Sequence, residues 1–313
     1  MRGLRVLFLA VLPVLPLAIQ AETSLFRVIS YNVENFFDPV RDSLKRDQDF
    51  TPDGKFHWTI SRMHRKAEQI AKVIACAGGW STPALVGLCE VENRNCLDVL
   101  CSKLKSYPYH ILHFESPDER GIDVALLYDP YQFRLIDSSA IAVPLGEDKT
   151  RDILYAQGVT RTKDTLHVFM VHLPSMLGGA KNSEWKRQAA KDRIRHKTDS
   201  ILACSSRAQI IVMGDMNCSA LDDMAGLHNK MLRMEKKGLG TEKYQGRWSC
   251  LDQVYLSDAL NEVSEVEIFA PFWLQERDER FTGLKPKRTF VGYKYKRNGY
   301  SDHLPVVLNI WRN

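Results

Sequence analysis

Ile210-Ile211-Val212-Met213-Gly214-Asp215-Met216-Asn217 runs four apolar residues into a glycine, an aspartate and, two positions later, an asparagine. An uninterrupted apolar run of this length, closed by glycine, reads as a strand covered on both faces. The polar residues then stand where that strand stops. The same order recurs along the chain. Val28-Ile29-Ser30-Tyr31 ends in Asn32, Leu85–Cys89 in Glu90, and Val168–Val171 in His172. Asp252 enters the run Val254–Leu256, and Ser301-Asp302-His303 precedes Val306–Ile310. In α/β proteins, strand ends converge on a crevice where ligands bind, so the polar set is expected to meet there.

Further strands are expected at Phe26–Ser30, Val124–Tyr128 and His167–Val171. Between the strands lie helical patterns. Ile60, Met63, Ala67, Ile70 and Ile74 share one helical face, with Glu68 four residues before Lys72. Leu97, Leu100, Cys101 and Leu104 repeat the spacing, and Trp185–Ala203 is a longer, charge-rich candidate. Strands with helices outside them make an α/β layered fold. Residues 38–58 and 275–299 are rich in Gly, Pro and charge and read as long loops, a length that usually carries function. No repeat or linker divides the chain, so one domain is expected over 24–313, preceded by a separate segment.

That segment is residues 1–21: Arg2 and Arg5, then an apolar stretch from Val6 to Ile19, then Gln20 and Ala21. This is the layout of a secretory signal peptide, and it predicts an exported, periplasmic or extracellular protein that touches the membrane only through this segment. Removing it takes away two arginines and no acid, so the net charge of +5 becomes +3. A mildly basic chain favours phosphate-bearing substrates without being a dedicated duplex reader. Basic residues are densest at Lys285, Lys287, Arg288, Lys294, Lys296 and Arg297, interleaved with Phe290, Tyr293 and Tyr295. Seven cysteines leave at least one thiol unpaired and form no CxxC pair, which argues against a structural zinc site. Cys89 and Cys218 lie in or beside apolar runs and read as small buried residues.

A lone carboxylate at a strand end is more often a turn former than a ligand, and a lone histidine more often structural. Together, oxygen donors with two histidines and no thiol suit a hard cation such as Mg²⁺, which commonly takes one or two carboxylates and leaves room for phosphate. Glu34 and Glu92 are read as structural.

The ordered blocks Tyr31-Asn32-Val33-Glu34-Asn35, Gly87-Leu88-Cys89-Glu90-Val91, Gly121–Tyr128, Val171-His172-Leu173, Gly214-Asp215-Met216-Asn217, Leu251-Asp252-Gln253-Val254 and Ser301-Asp302-His303-Leu304-Pro305 resemble the DNase I-like endonuclease/exonuclease/phosphatase superfamily, in particular an exported bacterial subgroup. The resemblance spans residues 26 to 310. It implies a four-layer α/β sandwich of two packed mixed β-sheets flanked by helices. It implies a metal-dependent phosphoesterase with Glu90 as main Mg²⁺ ligand, helped by Asn32 and Asp302, and Mn²⁺ as an alternative ion. His303 paired with Asp252 would contact the scissile phosphate or take the proton of the attacking water, with Asp215 as the rival base. Asn217 would orient the nucleophile, and His172 and Arg151 would stabilise charge on the phosphoryl oxygens. Glu34 stands where some nuclease members carry Asp, which leaves its part in metal binding open.

The leading expectation is a phosphodiesterase or endonuclease acting on nucleic acid as a monomer without a stable protein partner. A phospholipid or inositol-phosphate substrate, as for relatives that cleave sphingomyelin, is the second. A binding protein that has lost turnover is the third.

Overall fold

The computed structural model describes residues 24–312 apart from 177, 178, 223 and 225; the expected signal segment 1–21 lies outside the described residues. In chain order come β1 (Ser24–Phe36), α1 (Ile60–Gly78), β2 (Leu85–Val91), α2 (Arg94–Lys103), β3 (His110–His113), β4 (Asp123–Tyr128), β5 (Phe133–Ile141), β6 (Ile153–Thr160), β7 (Thr165–His172), α3 (Ala180–Cys204), β8 (Gln209–Asp215) and β9 (His228–Asn229). The strands Asp252–Leu256, Ser264–Ile268 and Val306–Arg312 complete two sheets.

Each sheet has six strands. The first runs Ser264–Ile268, Val306–Arg312, β1, β2, β4, β3; the second runs β5, β6, β7, β8, Asp252–Leu256, β9. Both are mixed in the same way. One central parallel pair, β1 with β2 and β7 with β8, is flanked by antiparallel neighbours. The inner faces share a core of Val28, Leu85, Leu126, Val168, Met170, Ile211 and Met213. α1 and α2 cover the outer face of the first sheet through Ile70, Ile74, Leu97 and Leu100. α3 covers the second through Ala190 and Ile194. The molecule is therefore the four-layer α/β sandwich expected from the sequence.

Local chemistry explains several boundaries. Thr59 caps α1 by accepting from the Arg62 N–H, and Asn93 caps α2 by accepting from Cys96 N–H at 3.0 Å. The apolar face of α1 is as the spacing predicts except at Ile60, which is 64 % exposed on the first turn. Gly87 lets the sheets close: a Cβ there would lie 2.4 Å from the sulfur of Met170. The expected loop 275–299 carries two short hairpins, Gln275–Arg277 with Leu284–Pro286 and Phe290–Val291 with Lys294–Tyr295. All seven cysteines are free, with Cys89 and Cys218 buried.

Candidate active site

Strand register assembles the site. His172 is the cross-strand partner of Asp215 at the end of the parallel pair β7–β8, and Asp215 is in turn the partner of Asp252. Neighbouring strands lie about 4.8 Å apart, so three strand ends present these side chains side by side. In the other sheet Asn32 pairs with Cys89, which sets it next to Glu90. Glu90 departs from regular strand geometry at φ 66°, where the ladder with β4 slips by a residue. That left-handed twist is costly for a non-glycine residue and is typical of functional positions. Asn217 does the same at φ 47°.

Gly214 makes the approach to Asp215 feasible. Its φ is 137°, and a Cβ there would meet the Val171 carbonyl oxygen at 1.9 Å, so only glycine fits. Asp215 is then fixed by two donors, the Asn217 N–H at 2.9 Å and the Asn32 Nδ2 at 3.0 Å. The Asn32 Nδ2 also lies 3.5 Å from Glu90 Oε1, while Glu90 Oε2 accepts from Asn35 N–H at 2.8 Å. His172 Nε2 stands 3.6 Å from Asp215 Oδ2 and 4.0 Å from Glu90 Oε1. The two sheets thus meet through Asn32, Glu90, Asp215 and His172.

His303 reaches the same cluster from the turn before Val306–Arg312. Its Nδ1 is 2.7 Å from Asp252 Oδ2, and its backbone N–H donates to Ser301 Oγ, which itself donates to the Asn32 carbonyl at 2.7 Å. Burial alone would push His303 down, but Asp252, with Asp215 and Asp302 behind it, carries it well above its ordinary value. The ring is an imidazolium at neutral pH with Nε2 turned away from Asp252. Burial lowers His172 well below the usual histidine range, reinforced by Arg151, Arg120 and His303, so it is neutral. Burial lifts Asp215 to about 6, with His303 opposing and Asp252 adding to the rise. A buried carboxylate near 6 beside a cationic ring is a pair set for acid/base work.

The remaining sequence-derived positions fall differently. Asp302 is half-exposed, with Oδ1 4.0 Å from His303 Nε2 and Oδ2 accepting from Arg288 at 2.7 Å. Asn217 turns its side-chain amide to the Leu173 carbonyl at 3.0 Å. Arg151 differs from the expectation of a phosphate ligand. It is 6 % exposed, and its Nε, Nη1 and Nη2 donate to the His172 carbonyl, Asp118 and the Leu173 carbonyl. Each nitrogen is committed to holding the end of β7, which makes Arg151 a positioning residue. Asn32 also differs in detail: its oxygen accepts from Glu34 N–H at 3.0 Å, and its nitrogen faces the carboxylates.

Several participants read as structural in the sequence or do not stand out in it at all. Glu34 accepts from the Thr289 and Phe290 N–H groups and from Arg288. Burial first, then Asp302, lifts it to about 7 against the pull of Lys66 and Arg288. Lys66, buried on α1, donates to Thr289 Oγ1 and the Tyr300 carbonyl. Together they clamp the 287–300 segment beside the site. Glu242 bridges His303 through the backbone. In the sequence, Glu34 reads as structural and Arg288 only as part of a basic stretch.

Donor chemistry fits a hard cation. Glu90 Oε1 has no partner nearer than the 3.5 Å amide of Asn32, and Glu90 and Asp215 converge on that amide and on His172 Nε2. Carboxylate and amide oxygens are what such an ion takes. Ligation by Asn32 requires its oxygen where its nitrogen now sits, a half-turn of the amide.

Residues 27–312 match the family model described as "Endonuclease/Exonuclease/phosphatase family". No curated protein matches the sequence. Among solved structures, truncated Caenorhabditis elegans TDP2 superposes with a TM-score of 0.61 at 16% identity, covering 92% of this chain and 98% of that one. The human Nocturnin catalytic domain with bound sulfate gives 0.58 at 17%, covering 93% and 97%. A Bacteroides thetaiotaomicron protein described as endonuclease/exonuclease/phosphatase family gives 0.57 at 14%, covering 94% and 100%. At these identities the likeness is one of fold.

Proposed function

The chain belongs to the endonuclease/exonuclease/phosphatase family, a group of phosphate-ester hydrolases, and from that premise we propose that it is a Mg²⁺-dependent phosphodiesterase acting on nucleic acid. The observation that carries this reading is the meeting of the Asp252–His303 pair, Asp215, and the Glu90–Asn32 oxygen set in one cleft built from both sheets. Glu90, with Asn32 after its amide turns and Asp302, would hold the cation, which when bound supplies Lewis-acid stabilisation of phosphoryl charge.

The chain's own residues do the rest. Asp252 fixes the His303 tautomer and keeps the ring charged, so that Nε2–H donates to a phosphoryl oxygen. Asp215, held by the Asn217 N–H, takes the proton of the attacking water. His172, neutral and buried, adds an N–H between Asp215 and Glu90.

Nucleic acid as the substrate is supported by the surface next to His303. A cleft of about 230 Å³ is lined by Arg280, Lys285 and Arg288 with Tyr244 and Phe281. Glu242, Asp278 and Asp302 line it as well, and Lys243 is buried against Asp278 at 3.2 Å. Positive charge that tracks a backbone, together with aromatic faces for bases, is how single strands are held. A structure of D. rerio TDP2, which shares this fold at a TM-score of 0.57, is complexed with a single-strand DNA product.

The test is incubation of purified protein with plasmid, single-stranded DNA and RNA in Mg²⁺, Mn²⁺ and EDTA, beside sphingomyelin and inositol phosphates. Cleavage of a nucleic acid that EDTA abolishes, and that Glu90→Ala and His303→Ala each lower by several orders of magnitude, is the expected result. Intact nucleic acids alongside hydrolysed lipid or sugar phosphate would move the substrate class. Identical behaviour of wild type and both variants in every arm would leave a binding protein.

A further inference from the structure

Between β3 and β4 lies a second group of ligand-competent side chains that the catalytic reading does not use. His113 closes β3, Asp123 opens β4, and Glu115 stands on the connection between them. One donor atom from each lies within 4.8 Å of the other two. Clusters of acids are common on protein surfaces. This one differs in what its buried members lack.

The Asp123 side chain is 2 % exposed and the His113 side chain 5 %. Asp123 Oδ1 accepts from Ser116 Oγ. Its Oδ2 has no hydrogen-bond partner, and neither has His113 Nε2, although the two atoms point at each other across 3.7 Å. That gap is too long for a hydrogen bond. A buried polar atom left unpaired is destabilising, and here two such atoms face the same point. Donors bound at about 2.0–2.2 Å to one ion are separated by about 3.0–3.5 Å in octahedral or tetrahedral geometry. The observed spacing is within a few tenths of an ångström of that range. Glu115, with Oε1 3.9 Å from His113 Nδ1, is largely exposed and lies beside Asp123 as the third donor.

We propose that His113, Asp123 and Glu115 form a second divalent-cation site, distinct from the Glu90 site and suited to an ion of the Zn²⁺ and Mn²⁺ class. One imidazole with two carboxylates favours such borderline ions over Ca²⁺ or Mg²⁺, which prefer oxygen alone. The local protonation agrees. Burial pushes His113 down to about 4, leaving the neutral ring that ligates a metal. Burial, then repulsion from Glu115, lifts Asp123 to about 7 against the Ser116 hydrogen bond, a strain that a bound cation removes.

The site has a structural task. The connection it would close also carries Asp118, which holds Arg151, and Arg120, whose Nη2 donates to Asn35 Oδ1 at 2.7 Å. Asn35 in turn supplies the N–H on Glu90. Lys45 steadies the same connection through the Ser116 and Asp118 carbonyls. A cation at His113 would therefore anchor a segment whose other end shapes the catalytic cleft.

The experiment uses the full folded protein carrying Glu90→Gln, so that the catalytic site contributes little. Mn²⁺ is the probe, because the exposed thiols of Cys76 and Cys204 compete for Zn²⁺. Chelator-treated protein is titrated with Mn²⁺ while free ion is read by electron paramagnetic resonance and the unfolding midpoint is followed. The expected result is that Glu90→Gln binds one equivalent more than Glu90→Gln/His113→Gln and Glu90→Gln/Glu115→Gln, or binds it at least tenfold more tightly. A Mn²⁺-dependent rise in midpoint should accompany it in Glu90→Gln alone. Glu115→Gln, on an exposed side chain, decides the matter if His113→Gln fails to fold. Equal binding by all three proteins, or no binding by Glu90→Gln, overturns the proposal.

Discussion

Asp252 spends one oxygen on the His303 ring and keeps the other, Oδ1, buried without a partner. Its value to the site is therefore almost wholly the charge and tautomer it imposes. Asp252→Asn should leave the fold intact and lower kcat/KM by about 10²–10⁴. With the carboxylate gone, His303 loses its main support and falls back through neutral pH. The residual rate should then increase as the pH is lowered from 8 to 6, which a pH–rate profile reads directly. A second titration belongs to stability. His167 donates to or accepts from Tyr155 Oη at 2.8 Å, and burial, then Lys197, lowers it below the ordinary histidine range. A histidine depressed in the folded state binds its proton more readily unfolded, so its contribution is present above pH 6.5 and is lost as the pH falls below that value. His167→Asn, which keeps an acceptor near Nδ1, should flatten the loss of denaturant stability between pH 7 and 5. At this scale Asp215 and Asn217 were legible because they follow an apolar run directly. Arg151 was misread because an Arg-Asp pair before a strand gives no sign that backbone carbonyls will consume its donors.

Lys66 shows what an element hides. The 3.6-residue periodicity of α1 was readable, but a lysine between Met63 and Ala67 reads as solvated, whereas here it is 1 % exposed. Burial lowers it to about 8 against the pull of Glu34, Asp302 and Glu90. It ties α1 to Thr289 and Tyr300. Lys66→Met should cost roughly 2–4 kcal/mol, since it removes a buried charged donor from Thr289 Oγ1 and the Tyr300 carbonyl and frees the segment it held. Limited proteolysis should then cut faster within residues 275–299 while α1 itself stays protected. Most of the strands that went unread lie at sheet edges. β5 reads Phe-Arg-Leu-Ile-Asp-Ser-Ser-Ala-Ile and lies at a sheet edge with mostly uncovered residues, so it has no continuous apolar run to announce it. β3 and Ser264–Ile268 are edges as well. β6, Ile-Leu-Tyr-Ala-Gln-Gly-Val-Thr, is interior and mostly buried yet also went unread, because Gln157 and Gly158 break its apolar run. The other central strands were legible because both faces are packed.

For the whole molecule, the layered α/β class followed from alternating strand and helix patterns. Strand order did not, because pairing between β1 and residues 306–312 is fixed by contacts nearly the full chain apart. The resemblance carried by the ordered motifs supplied that architecture, and the two six-stranded sheets agree with it. No helix among the described residues is long and apolar enough to cross a membrane. The export reading of residues 1–21 remains a prediction at this scale: amino-terminal sequencing of protein secreted by its host should start at Glu22, and an intact Met1 would overturn it.

The reactive groups are divided between the sheets: Asn32 and Glu90, with His303 just before Val306–Arg312, on one, and His172, Asp215 and Asp252 on the other, with Gly87 setting how closely the two approach. Neither half carries the full set. A chain still emerging from its ribosome, or one with its layers sprung apart, is thus chemically silent toward the phosphodiesters around it. The complete set exists only where the two layers dock, so turnover would report their correct docking.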